Sequence, residues 1–137
     1  MTVPACLVAP MLGGGRKVLT FRANSADLTT ASVYTFSAVA IGAAQADRRV
    51  IVAVHISAND TIASVTVGGV TATSVVQVAV GAANLRMAIF IAAVPTGTTA
   101  DVVVNMTVGA TRCRIGAWTV LGLVSDTAVD SDTSVAD

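Results

Sequence analysis

Residues 63–74 read ASVTVGGVTATS, two runs rich in valine and threonine on either side of Gly68 and Gly69. Side chains branched at Cβ lose rotamer freedom in a helix and suit a pleated surface. A glycine pair between two such runs marks a two-residue hairpin, because that turn needs positive φ and glycine reaches it without a Cβ clash. A tight hairpin is therefore expected at Gly68 and Gly69.

The same period of two runs outward from the hairpin in both directions. Residues 18–23 read as a first strand, and residues 32–41 as a second in which Tyr34, Phe36, Ala38 and Ala40 share one face. In residues 48–57, Val50, Val52, Val54 and Ile56 point one way and Ile51, Ala53 and His55 the other, so both faces are at least partly covered. Residues 75–80 continue as a strand, Gly81 to Asn84 turn the chain, and residues 85–94 follow with Leu85, Met87, Ile89 and Ile91 on one face. Pro95 ends that strand, PTGTTA is a turn by composition, and residues 101–108 and 111–121 complete the set. The short stretch IGAAQAD, residues 41–47, has room for one helical turn and no more.

Eight or nine strands joined by Gly, Pro, Asn and Thr turns, with no segment of helical period, imply an all-β fold: an antiparallel two-sheet sandwich or jelly roll. Composition agrees. Of 137 residues, 54% are hydrophobic and 12% charged, against about a quarter charged in an average domain, which excludes disorder. Glutamate is absent and roughly half the chain is Ala, Val or Thr, so helix bundles and coiled coils are set aside. The length suits one domain, spanning residues 18–125, with an apolar arm before it (1–17) and an acidic tail after it (126–137). No apolar run reaches the 18 or so residues that span a bilayer, and no membrane partner is expected. The N-terminus has no positive n-region and carries Pro4 and Pro10, so it is read as mature structure and not a secretory signal. Cys6 and Cys113 are read as free thiols.

The residues that carry chemistry give little support for a reaction. His55 is the single histidine, and a Ser-His-Asp or Cys-His arrangement would have to use it without a G-x-S-x-G elbow. Zinc would need His55, Cys6, Cys113 and an aspartate from distant places, without any paired-ligand spacing. Asp130, Asp132 and Ser134 imitate the start of a calcium loop, but Val135 stands where the turn glycine belongs. Asp27, Asp47 and Asp60 fall in turns, where aspartate bonds the local backbone. GGGRK, residues 13–17, lacks the Walker pattern and precedes a strand, so a flexible linker is the better reading. No enzyme activity, cofactor or metal is expected, and the near-zero net charge argues against general nucleic-acid binding.

Surplus apolar surface points instead to assembly. Val3, Pro4, Leu7, Val8, Met11 and Leu12 form an apolar arm ahead of Gly13, Gly14 and Gly15, suited to docking on a neighbour or to packing as an edge strand on its own domain. Arg112, Arg114 and Trp118 project from one face of the last strand, a combination able to stack on nucleic acid or a sugar and, in the preferred reading, common at protein interfaces. The tail holds four aspartates and no base, while residues 1–125 hold eight bases and four acids. It is read chiefly as a solvated terminus, with pairing to a basic patch on a partner as the alternative.

The succession RRVIVAVHIS, ASVTVGGVTATSV and LRMAIFIAAVPTGTTADVVVNMTVGATRCRIGAWTVLGL resembles small β-sandwich modules of tailed-bacteriophage virion proteins and prophage-encoded proteins. The shared features are a strand opening on a basic residue, a VTVGG hairpin, an aliphatic strand ending at PTGT and a Val-rich strand after it, over about residues 48–122. The resemblance implies a structural protein of the phage particle, assembled in the bacterial cytoplasm and residing in the virion, and it brings no catalytic residues. Small size and the lack of a stalk favour a capsid decoration (cement) protein, a homo-oligomer such as a trimer, bound to the major capsid protein. The alternatives are a tail or fibre component that reads host glycans, or a carbohydrate-binding module of a cell-wall enzyme.

Overall fold

The computed structural model describes residues 16–80 and 84–128. The apolar arm (Val3, Pro4, Leu7, Val8, Met11 and Leu12), Cys6, the triple glycine, Gly81 and Asp130 to Asp137 lie outside the described residues. Among the described residues nine strands follow one another without a helix: β1 (Val18–Asp27), β2 (Ala31–Ala40), β3 (Arg49–Ile56), β4 (Ile62–Val67), β5 (Val70–Thr71), β6 (Thr73–Val80), β7 (Leu85–Ala93), β8 (Thr99–Ala110) and β9 (Cys113–Leu121). They form a five-stranded sheet in the order β1-β9-β3-β7-β6 and a four-stranded sheet in the order β2-β8-β4-β5, with every pairing antiparallel. The all-β sandwich expected from the alternation is the observed fold.

The alternating strand faces meet between the sheets. Val50, Val52, Val54 and Ile56 of β3 and Ala88, Phe90 and Ala92 of β7 face Tyr34 and Phe36 of β2, Val65 and Val67 of β4, and Val102, Val104 and Met106 of β8. Each buried valine contributes about 1.5–3 kcal/mol of apolar transfer. Most connections pass from one sheet to the other, and the hairpins β4–β5 and β6–β7 are the exceptions. The glycine hairpin forms as expected, with Val67 opposite Val70 and φ of 58° at Gly68 and 80° at Gly69. Its second arm lasts only two residues, because the chain leaves at Ala72 to join the other sheet as β6.

Two expectations need correction. Ala38 and Ala40 do not share the face of Tyr34 and Phe36, since Val39 is the next buried residue. The register shifts between Phe36 and Val39, Ala38 takes φ of 53°, and its N–H donates to Asp101 Oδ1 at 2.8 Å, so a bulge turns the alternation over. Residues 41–47 form no helical turn either. They wind around Arg48, which is 1% exposed. Its Nη1 donates to the carbonyls of Gly42 and Ala43 at 2.7 Å and Ile41 at 3.3 Å, its Nε to Val94 at 2.7 Å and its Nη2 to Thr96. Those carbonyls converge on one guanidinium instead of lining up along a helix axis. Burial lowers the Arg48 pKa, with the nearby Arg22 charge acting in the same sense, yet an arginine stays protonated.

Candidate binding face

The outward side of the five-stranded sheet carries exposed apolar side chains on neighbouring strands. The ladder pairings lay its side chains in rows across the strands. Phe21 lies beside Trp118, Trp118 beside Ile51, Ile51 beside Ile91, and Ile91 beside Thr73. The next row runs Asn24, Gly116, Ala53, Ile89 and Val76, and the third runs Ala26, Arg114, His55, Met87 and Val78. Phe21 is 53% exposed, Met87 52% and Ile89 40%, values far from those of the core. The alternation places Leu85, Met87, Ile89 and Ile91 on one face, and that face is the outer one, exposed at Met87 and Ile89 but covered at Ile91. Both alternating sets of the strand are apolar, so periodicity alone does not say which turns inward.

Trp118 sets the texture of this face. A Cβ on Gly116 would lie 2.6 Å from Trp118 Cη2, which shows that the indole lies over the bare glycine backbone two residues earlier. Phe21 meets the indole edge-on, with centroids 5.4 Å apart and planes at 64°. Arg114 is exposed in the third row, without a carboxylate partner among the described residues. Asn24, Ser25, Ala26, Arg114 and Ile115 line a hollow of about 280 Å³ there. Arg112, expected on the same strand face, belongs to the turn ahead of β9. The structure thus brings Arg114 and Trp118 onto one face and leaves Arg112 at its margin. Asn24 and Phe21 were missed, because nothing in the sequence says that β1 pairs with β9, the last strand.

The titratable groups do structural work. Asp60 Oδ2 accepts from the N–H of Val108 at 2.7 Å and Gly109 at 2.9 Å, and Oδ1 from Thr61 N–H at 2.7 Å. The Val108 bond leads in holding its carboxyl below the usual range. Asp27 accepts from the Thr29 hydroxyl and N–H, which lower its pKa in that order. Asp47 Oδ2 accepts from Gly122 N–H at 2.9 Å. Asp27 thus bonds the nearby backbone as expected of a turn aspartate, whereas Asp47 and Asp60 reach backbone far away in the sequence, which their positions did not suggest. Asp126, the first tail residue, pairs with Arg49 of the same chain.

His55 and Cys113 project from opposite faces of the sheet, since Cys113 is buried beside Ile56 while His55 stands beside Arg114. No Cys-His dyad can form across that barrier. Burial pushes the Cys113 thiol up to about 12, with the Asp27 charge adding to the effect. Tyr34 is raised too, first by burial, and its hydroxyl lies 2.7 Å from the carbonyls of Thr29 and Ala110. Among the described residues no group of three or more His, Cys, Asp or Glu side chains is placed to hold a metal ion. The chain matches no family model, no curated protein and no solved structure.

Proposed function

We propose that this chain is a structural subunit of a tailed-phage particle, a capsid decoration protein that binds the assembled head through the outer face of its five-stranded sheet. The observation that carries the reading is the apolar surface formed by Phe21, Trp118, Ile51, Ile89 and Met87, a continuous patch on a sheet whose other side already fills the core. Contiguous exposed apolar surface of this kind marks interaction sites, and aromatic side chains are common anchors there. The resemblance of residues 48–122 to virion sandwich modules narrows the partner to a phage lattice. A ligand that selects the assembled lattice stabilises it by linkage, so the role is a mechanical one.

The experiment is addition of the purified protein to heads of the encoding phage that lack it, followed by sedimentation and a thermal melt of the heads. Binding in fixed proportion to the major capsid protein with a raised melting temperature supports the reading; no co-sedimentation removes it. One observation favours a second reading, a glycan-binding module of a tail, fibre or cell-wall protein. The hollow beside Arg114 is lined by the polar side chains of Asn24, Ser25 and Arg114, on the same sheet as the Trp118 indole that lies over Gly116. Quenching of the single tryptophan by oligosaccharides, with no binding to heads, selects that reading.

A further inference from the structure

Each sheet of an open sandwich ends in two edge strands, and an edge displays unpaired N–H and C=O groups to any extended chain that can reach them. Three of the four edges here carry features that block pairing. β1 has one register shift, between Phe21 and Ala23, and carries two charged residues, Arg22 at that break and Asp27 at its end. β2 has register shifts between Ala31 and Val33 and between Phe36 and Val39. β5 is two residues long. β6 is different: its eight residues, TSVVQVAV, contain no charge, proline or glycine. Its one irregularity lies between Ser74 and Val76, and from Val76 to Val80 the register against β7 is unbroken. Its inward Gln77 donates to the Ile62 carbonyl at 2.9 Å, which ties the strand to the opposite sheet. Among the described strands only β7 pairs with it.

We propose that β6 is the self-association edge of this protein, pairing antiparallel with β6 of a second copy about a two-fold axis. An antiparallel strand pair has that symmetry built in, so the contact is isologous and closes at two copies. The sequence is self-complementary under this operation. Val, Ala and Gln meet Val, Ala and Gln, and no charge opposes its like. The two five-stranded sheets would join into one continuous sheet, with strands about 4.8 Å apart across the axis. Growth stops there, because the far edge of the joined sheet is β1 at both ends, with its charged Arg22 and Asp27. The outward residues Val76 and Val78 continue the apolar face across the axis, so a dimer would present a doubled docking surface. That last consequence rests on the proposed function; the pairing itself does not.

The test is light scattering across a concentration series, together with hydrogen exchange of the β6 amides. The wild type is expected at twice the 13.7 kDa chain mass, with β6 amides that gain protection as concentration rises. Val78→Lys is expected at single mass, and an equimolar mixture of Val78→Lys with Val78→Asp is expected to recover the double mass. A variant that merely misfolds would not be rescued in this way. Ile89→Lys charges the outer face away from the edge and is expected to remain dimeric. A wild-type monomer, a trimer, or a dimer that Ile89→Lys breaks and Val78→Lys does not would overturn the inference. A monomer that still binds heads removes the edge pairing alone, whereas a dimer that ignores heads removes the functional reading alone.

Discussion

Replacing Arg48 with methionine keeps much of the apolar stem and removes every donor from a buried site. Five carbonyls, those of Ile41, Gly42, Ala43, Val94 and Thr96, lose their partner at once. The bonds to Ile41 and Val94 are fully buried, and each acceptor left unsatisfied there costs about 1–3 kcal/mol; the other three are partly buried and water recovers some of the loss. Removing an uncompensated buried charge returns part of this, because the guanidinium was itself taken out of water. The balance is a loss of about 3–5 kcal/mol, a large share of the roughly 5–15 kcal/mol that holds a domain folded. Urea unfolding followed by circular dichroism measures it, with a lower midpoint at unchanged slope as the expected result. Arg48→Lys keeps the charge but has only three donors in place of five, so it should fall between wild type and Arg48→Met. A methionine variant within about 1 kcal/mol of wild type, the range of an ordinary substitution, would refute the idea that the 41–47 loop is built on this side chain.

Other outcomes follow from the same geometry. Cys113 and Tyr34 have folded pKa values above their unfolded ones, so their contribution is complete at neutral pH and is lost as pH climbs, for Cys113 from about 9 toward about 12. The urea midpoint should fall over that range, and less steeply in Cys113→Ala. Asp60 and Asp27 have the opposite sign: their folded pKa values lie below the ordinary 3.8, so their contribution is present above it and is lost as pH falls through the folded values. Asp60→Ala should flatten the acid limb of the stability profile, while Asp60→Asn, which keeps an acceptor oxygen, should restore much of the neutral-pH midpoint. Gly116→Ala must push the indole off its seat, since the new Cβ would lie 2.6 Å from the ring. A shift in emission of the single tryptophan, with little change in the urea midpoint, is the expected readout.

The fold was legible because its signals are local. Strict alternation in β3, the glycine pair of the β4–β5 hairpin and Pro95 after β7 each act over a few residues, and each produced the element it announced. What stayed hidden depends on neighbours distant in sequence. Val39 turns inward because Asp101, 63 positions from Ala38 along the chain, holds the Ala38 N–H. Arg48 looks like any basic residue at a strand entrance until the Val94 and Thr96 carbonyls arrive from the end of β7. The candidate face was half legible: Arg114 and Trp118 were visible as a pair at spacing four, but Phe21 joins them only through the pairing of the first strand with the last. Alternation also leaves open which of two apolar faces is solvent-facing, as Met87 and Ile89 show.

The central proposal is that the outer face of the five-stranded sheet binds a phage head. It is tested most directly by sedimenting heads of the encoding phage with wild-type protein and with the double variant Met87→Asp and Ile89→Asp, whose substitutions lie on that exposed face and outside the core. The account predicts that wild type pellets with the heads in fixed proportion to the capsid protein and that the folded double variant stays in the supernatant. Equal pelleting of both proteins, or of neither, would contradict it.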